Sequence, residues 1–273
     1  MPHLLRSLAR ALASLMHPRI LWLTIVPLLV AGCVWGAVLW FSWSALIALV
    51  HQYLDQFSLS QTAYNVLTAI GLYGLHLVIA PFIVVTLVVP LIVVTVLLAT
   101  AVWAMPAVIR HLARHRYAHL ERRHGGNWLG GIAQAGVATI IFLLVVVVSL
   151  PLWLVPPFFA LIPPLLWGWL TYRIMTYDAL AAHASSAERA VLMRRHRWPL
   201  LTMGVATGLL GSLPALLWVT SAAMIILFPF VALAAIWLYA LIFVFSALWF
   251  AHFCLGELHN LRSEMAANGV TDP

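Results

Sequence analysis

The chain has no lysine, few charges and almost no cysteine. Its 14 basic residues are all arginine, set against seven acids for a net charge of +7. Only 8% of the 273 residues are charged, 64% are hydrophobic and mean hydropathy is +1.05. A water-soluble domain of this size needs far more polar surface, so the chain belongs in a bilayer. The excess of cations is no nucleic-acid signal, because membrane proteins keep arginine in cytoplasmic loops. Both cysteines, Cys33 and Cys254, lie in apolar runs and read as packing residues without a disulfide. The apolar runs hold no Asp, Glu, Lys or Arg, which argues against a proton pump or a carboxylate-coupled antiporter. No Walker loop, Ser/His/Asp order or carboxylate pair appears. Nothing therefore proposes an enzyme, a catalytic residue, a cofactor or a metal site.

The charges that exist fall into clusters, and the clusters divide the chain. Residues 3–16 alternate so that Leu4, Leu5, Leu8, Leu12 and Leu15 share one helix face, opposite His3, Arg6, Ser7, Arg10 and Ser14. That pattern predicts an amphipathic helix over 1–18, lying in the headgroup plane. Pro18 ends it, and a first span follows at 20–43. Residues 44–63 form the one polar loop without a basic residue, which places it outside and the N-terminus inside. An interfacial or re-entrant piece is expected over 62–76, then a span over 77–104 kinked at Pro81 and Pro90. A basic cytoplasmic loop occupies 105–127.

Two apolar runs remain, 128–172 and 200–256, each starting and ending beside arginines. Each must go in and come back, so each reads as a helical hairpin. Their turning points, "SLPLWLVPPFFALIPP" and "LFPFVAL" or "GSLPALLW", carry no charge. Either the turns are short and apolar, or the hairpins cross only partly and turn where protein shields the backbone. A charged cytoplasmic segment, 173–199, joins the hairpins, and 257–273 is a C-terminal tail. The fold class is thus an all-α integral membrane protein with one membrane domain.

Single features carry bland and sharp readings side by side. Ser185 and Glu188 have capping-box spacing and predict a short helix ending near "RRHRWP". Around it Arg173, Arg189, Arg194, Arg195 and Arg197 form either a salt-bridged platform with Asp178 and Glu188 or an anion collector. Arg6, Arg10, Arg110, Arg114, Arg122 and Arg123 are candidates for contact with anionic lipid. His111, His115 and His119 share a helix face, but the neighbouring arginines repel a divalent ion. His76 and His252, inside apolar runs, read as hydrogen-bonded packing residues. Gly32–x–x–x–Gly36 and Gly204–x–x–x–Gly208 predict close helix contact.

This order of parts resembles the CysZ-type sulfate permease family, which includes etoposide-induced eukaryotic membrane proteins. The resemblance rests on the amphipathic start, the segment from Pro18 to Leu29 and the basic middle loop. It continues in "YRIMTYDALAAHASSAERAVLMRRHRWPLLTMG" between the hairpins. It implies two long membrane helices, two partly penetrating hairpins, homo-oligomers in a bacterial inner membrane, and uptake of sulfate or a similar small anion. Candidate anion-binding residues are then Pro18 and Arg19 at the start of the first span, with Arg173 and Arg189. The permeases' P-G-L-R-R threshold is replaced here by Pro18-Arg19-Ile20-Leu21-Trp22. That replacement keeps a second reading open, a non-transporting membrane scaffold or assembly factor whose arginine-rich loops bind lipid or a protein partner.

Overall fold

A computed structural model describes residues 2–56, 66, 76–116, 126, 128–221 and 228–268. Among these, every regular element is helical. Helix α1 spans Pro2–Leu15 and α2 spans Pro18–Gln56. Helix α3, His76–Ala99, passes through a π-helical turn, Thr100–Ala104, into α4, Met105–Arg116. The first hairpin is α5, Trp128–Ser149, a 3-10 turn at Leu150–Leu154, and α6, Pro156–Leu180. A short α7, Ser186–Arg195, leads to α8, Arg197–Ser221, and the chain closes on α9, Phe228–Ala267. Among the described residues, four segments are long and apolar enough to cross a membrane: Ile20–Leu54, Ala80–Arg110, Leu129–Leu154 and Phe230–Ala267.

The helices outrun the sequence-based segments where nothing stops them. Helix α2 has 39 residues, about 58 Å at 1.5 Å per residue. It runs through 44–56, where a polar loop was expected, because no proline follows Pro27 before its end. Helix α9 has 40 residues and joins the second hairpin's return arm to the expected tail without a break. Both stretches expected to turn the second hairpin are helical where described, 211–218 within α8 and 228–233 within α9, because their prolines are absorbed near helix ends. Residues 222–227, the 62–76 piece apart from 66 and 76, and Arg122 and Arg123 lie outside the described residues.

Helix α9 is the centre of the molecule. It packs against α1, α2, α3, α4, α6, α7 and α8. Every residue from Val244 to Leu255 is buried, the condition of a helix that is apolar all round. Helix α1 lies along it through Leu4, Leu8, Ala11 and Leu15. Its buried face also takes in Ser7, whereas Leu5 and Leu12 are exposed, so the packing stripe is rotated from the leucine face. The seam still satisfies its polar atoms: Trp249 Nε1 donates to Ser7 Oγ at 3.1 Å, and Ser14 Oγ lies 3.0 Å from His252 Nε2. His252 is thus the packing histidine that its apolar neighbours suggest, 2% exposed. Farther along, Trp35 Nε1 donates to Thr95 Oγ1 at 3.3 Å, tying α2 to α3.

Only one of the two glycine pairs makes a close contact within the chain. A Cβ built on Gly204 would meet the Gly168 carbonyl oxygen, and one on Gly168 would lie 2.7 Å from the Val205 nitrogen. The backbones of α6 and α8 therefore touch there, as small residues permit. At Gly32 and Gly36 nothing lies within 4 Å of such an atom. Accordingly, Gly204→Ala is expected to destabilise by about 1–3 kcal/mol through overpacking against backbone that cannot move aside. Gly36→Ala should leave the thermal midpoint in detergent unchanged or raised. Equal midpoints for the two variants would refute the crossing.

Candidate functional site

The arginines proposed for anion binding fall into two groups. Pro18 is the first residue of α2 and exposed, and Arg19 follows it, its side chain outside the described ones. A helix start offers an anion a positive dipole and unpaired amides. Here part of that offer is taken. His17 N–H donates to Ser14 O at 3.1 Å, Pro18 has no N–H, and Ile20 N–H donates to His17 O at 2.9 Å. The dipole and the Arg19 charge remain as the attraction.

Arg173 and Arg189 belong to a different pair of helices. Trp169, Arg173 and Tyr177 stand one turn apart on α6, so they form a stripe. Arg173 sits 5.6 Å from the Trp169 ring centroid, and Arg189 of α7 sits 4.3 Å from that of Tyr177. Both are half-buried cations held against aromatic faces, a geometry that desolvation strengthens. Helix α2 packs on α3 and α9, whereas α6 packs on α8, α5 and α9.

The charged segment between the hairpins is built around Glu188. The capping box forms as spaced: Glu188 N–H donates to Ser185 Oγ at 3.1 Å, and Ser185 N–H donates to Glu188 Oε2 at 2.7 Å. The same carboxylate, 0% exposed, takes a second partner that the spacing did not reveal. Arg262 of α9 donates from Nε to Oε1 at 2.8 Å and from Nη2 to Oε2 at 3.1 Å. Its Nη2 also donates to the His183 carbonyl at 2.7 Å. A bidentate, buried ion pair thus fastens the end of α9 to the loop before α7.

Two further carboxylates of α9 are paired in less buried positions. Arg195 Nη1 meets Glu264 Oε2 at 2.6 Å, an exposed pair. Glu257 lies between two imidazoles, His3 Nδ1 and His196 Nε2, each 3.6 Å from a carboxylate oxygen. Burial holds the His196 pKa below its ordinary value, with the Glu257 charge opposing. Asp178, near the end of α6, is pushed up to about 6 by burial alone. Glu188, expected in the platform, is thus taken by Arg262, and α9 supplies the carboxylate that Arg195 meets. One signal for this was present: Glu257 and Glu264 stand seven residues apart, on one face of a helix.

Of the candidates for lipid contact, Arg6, Arg10 and Arg110 are exposed. Arg114 lies on α4, with its side chain outside the described ones. No group of three or more metal-binding side chains occurs among the described residues.

Two outcomes are expected from these charges. Arg262→Met strands the Glu188 carboxylate in a buried site and should cost about 3–5 kcal/mol. Adding Glu188→Gln, which keeps a capping residue, should recover part of that loss. A double variant no more stable than Arg262→Met alone would mean that the pair is not the fastening. Asp178 titrates from 3.8 unfolded to about 6 folded, so its neutral form is favoured by folding. The linked stability is full below about pH 4 and lost as pH rises through 6, at most about 3 kcal/mol. Asp178→Asn should therefore raise the thermal midpoint near pH 8 and bring no gain near pH 4.

The family described as Sulfate transporter CysZ/Etoposide-induced protein 2.4 matches residues 7–221. That stretch runs from the middle of α1 through α8, taking in Pro18, Arg19, the Trp169–Arg173–Tyr177 stripe and the capping box. Helix α9, the hub of the packing, follows it. No curated protein and no solved structure matches the chain. With the match covering well over half of the sequence and four helices able to cross a bilayer, the chain is a multi-pass membrane protein of the Sulfate transporter CysZ/Etoposide-induced protein 2.4 family.

Proposed function

We propose that this protein is a permease or channel for a small inorganic anion of the sulfate type. It sits in a bacterial inner membrane with its N-terminus in the cytoplasm. The observation that carries the reading is the family match, which includes the start of α2. There the dipole of a 39-residue helix and Arg19 together attract an anion at the mouth of an apolar segment. Passive or weakly coupled movement fits apolar runs without carboxylates. Homo-oligomers, expected from the resemblance, belong to the same proposal.

One observation favours a second reading, a lipid- or partner-binding scaffold. Arg173 and Arg189 are held against Trp169 and Tyr177, which suits a structural role as well as an anion path. Labelled-sulfate flux into proteoliposomes separates the two. The permease reading expects flux above empty vesicles, falling toward their rate in Arg19→Ala. Folded protein that passes neither sulfate nor phosphate would overturn it in favour of the scaffold. Flux unchanged by Arg19→Ala would remove Arg19 from the path.

A further inference from the structure

A groove of about 220 Å³ runs between α1 and the C-terminal part of α9, away from the start of α2. One wall carries Arg6 and Arg10, one helical turn apart on α1. The other carries His252, Gly256 and His259, a single stripe of α9. Glycine at the middle of that stripe leaves the space between the imidazoles open. The groove far exceeds the ~30 Å³ share of one water.

Its charge is unbalanced. Arg6 and Arg10 are exposed, and neither has an ion-pair partner among the described residues. The carboxylate that borders the groove, Glu257, is already occupied: His3 and His196 flank it, and Asn260 Nδ2 donates to it at 3.4 Å. Ser7 is committed as well, accepting from Trp249 and donating to the Leu4 carbonyl at 2.8 Å. These bonds fix the walls and leave two guanidinium forks facing a polar space. Such forks match the oxygens of a tetrahedral anion.

We propose that this groove binds a tetrahedral oxyanion group, sulfate or phosphate, through Arg6 and Arg10. Two sources supply such a group, the free ion and the phosphate of a phospholipid. A second cavity of about 650 Å³ shares His3, Phe253, Glu257 and Asn260 with the groove and mixes the apolar Leu4, Trp198 and Pro199 with the charged Arg195 and Glu264. The site is separate from Arg19, and its occupancy is read by binding, without flux. Failure of this proposal and failure of the transport reading are therefore distinguishable.

The test uses the full-length protein in detergent, with radiolabelled sulfate, radiolabelled phosphate and phosphatidylglycerol as probes and phosphatidylcholine as the control lipid. The variants are Arg6→Gln/Arg10→Gln and, separately, Gly256→Leu, which fills the groove. The arginine pair is exposed and has no ion-pair partner among the described residues, so its replacement should leave the thermal midpoint unchanged and exclude misfolding as the cause of any loss. Each lost charged hydrogen bond should weaken binding roughly tenfold. Free sulfate or phosphate bound by the wild type and lost in the arginine variant establishes the ion as occupant. Phosphatidylglycerol retained over phosphatidylcholine, lost in the same variant and not displaced by sulfate, establishes the lipid headgroup. Folded wild type that binds no probe, or binding equal in the wild type and the arginine variant, overturns the proposal.

Discussion

A helical segment wrapped by protein on every side favours partners for its polar atoms, and the stretch 244–255 of α9 is such a segment. Burying an unpaired polar group costs a few kcal/mol, comparable to a large share of a domain's net stability. The surrounding helices are arranged accordingly. Ser7 and Ser14 of α1 meet Trp249 and His252, while His3 and His196 meet Glu257. Glu188 meets Arg262, and Arg195 meets Glu264. These pairs follow one another along the second half of α9, which docks both the N-terminal helix and the inter-hairpin segment. Apolar packing supplies the adhesion, and these pairs supply the register.

Glu188 shows how one residue can couple local and distant structure. Its carboxylate caps α7 through Ser185 and pairs with Arg262, 74 residues away in sequence. A capping residue usually faces water, where its contribution is about 1 kcal/mol. Here it is buried, so its charge requires the guanidinium, and folding of the α6–α7 loop depends on the arrival of α9. The family match ends at residue 221, before this helix begins. The matched part thus includes the acid of a pair whose base lies beyond it.

The all-α membrane class, the amphipathic first helix, the first hairpin and the capping box were legible because each is written in local pattern. Periodicity showed α1, and an apolar run interrupted by Pro151, Pro156 and Pro157 showed the turn between α5 and α6. Boundaries set by charge alone were less legible. Residues 44–56 look like a loop when judged by polarity, yet nothing in them breaks a helix, and α2 continues. The tail looked separate because Glu257, Arg262 and Glu264 interrupt the apolar run, yet none of them breaks a helix and their partners lie on other elements. Pairings between Arg262 and Glu188, or Trp249 and Ser7, are set by tertiary register, which no spacing within one segment encodes. Arg19 was legible as a candidate through its position, and its threshold location at the second residue of α2 is where the structure places its backbone.

The interior chemistry constrains where an anion can travel. A hydroxyl has one proton to donate. Thr86, Thr95 and Thr100 of α3 and its π turn spend theirs on the carbonyls of Phe82, Leu91 and Val96. Thr207 and Ser246 spend theirs on Met203 and Ile242. These side chains present lone pairs, which repel an oxyanion. Carrying a bare anion through such seams would incur a desolvation cost of several kcal/mol with nothing to offset it. Among the described residues, the cations nearest the apolar segments include Arg19, Arg110, the Trp169–Arg173–Tyr177–Arg189 group and the arginines of the α1–α9 groove. An anion path in this protein must therefore keep its water or run along surfaces where helix ends and arginines meet, and the packed seams around α9 serve as its walls.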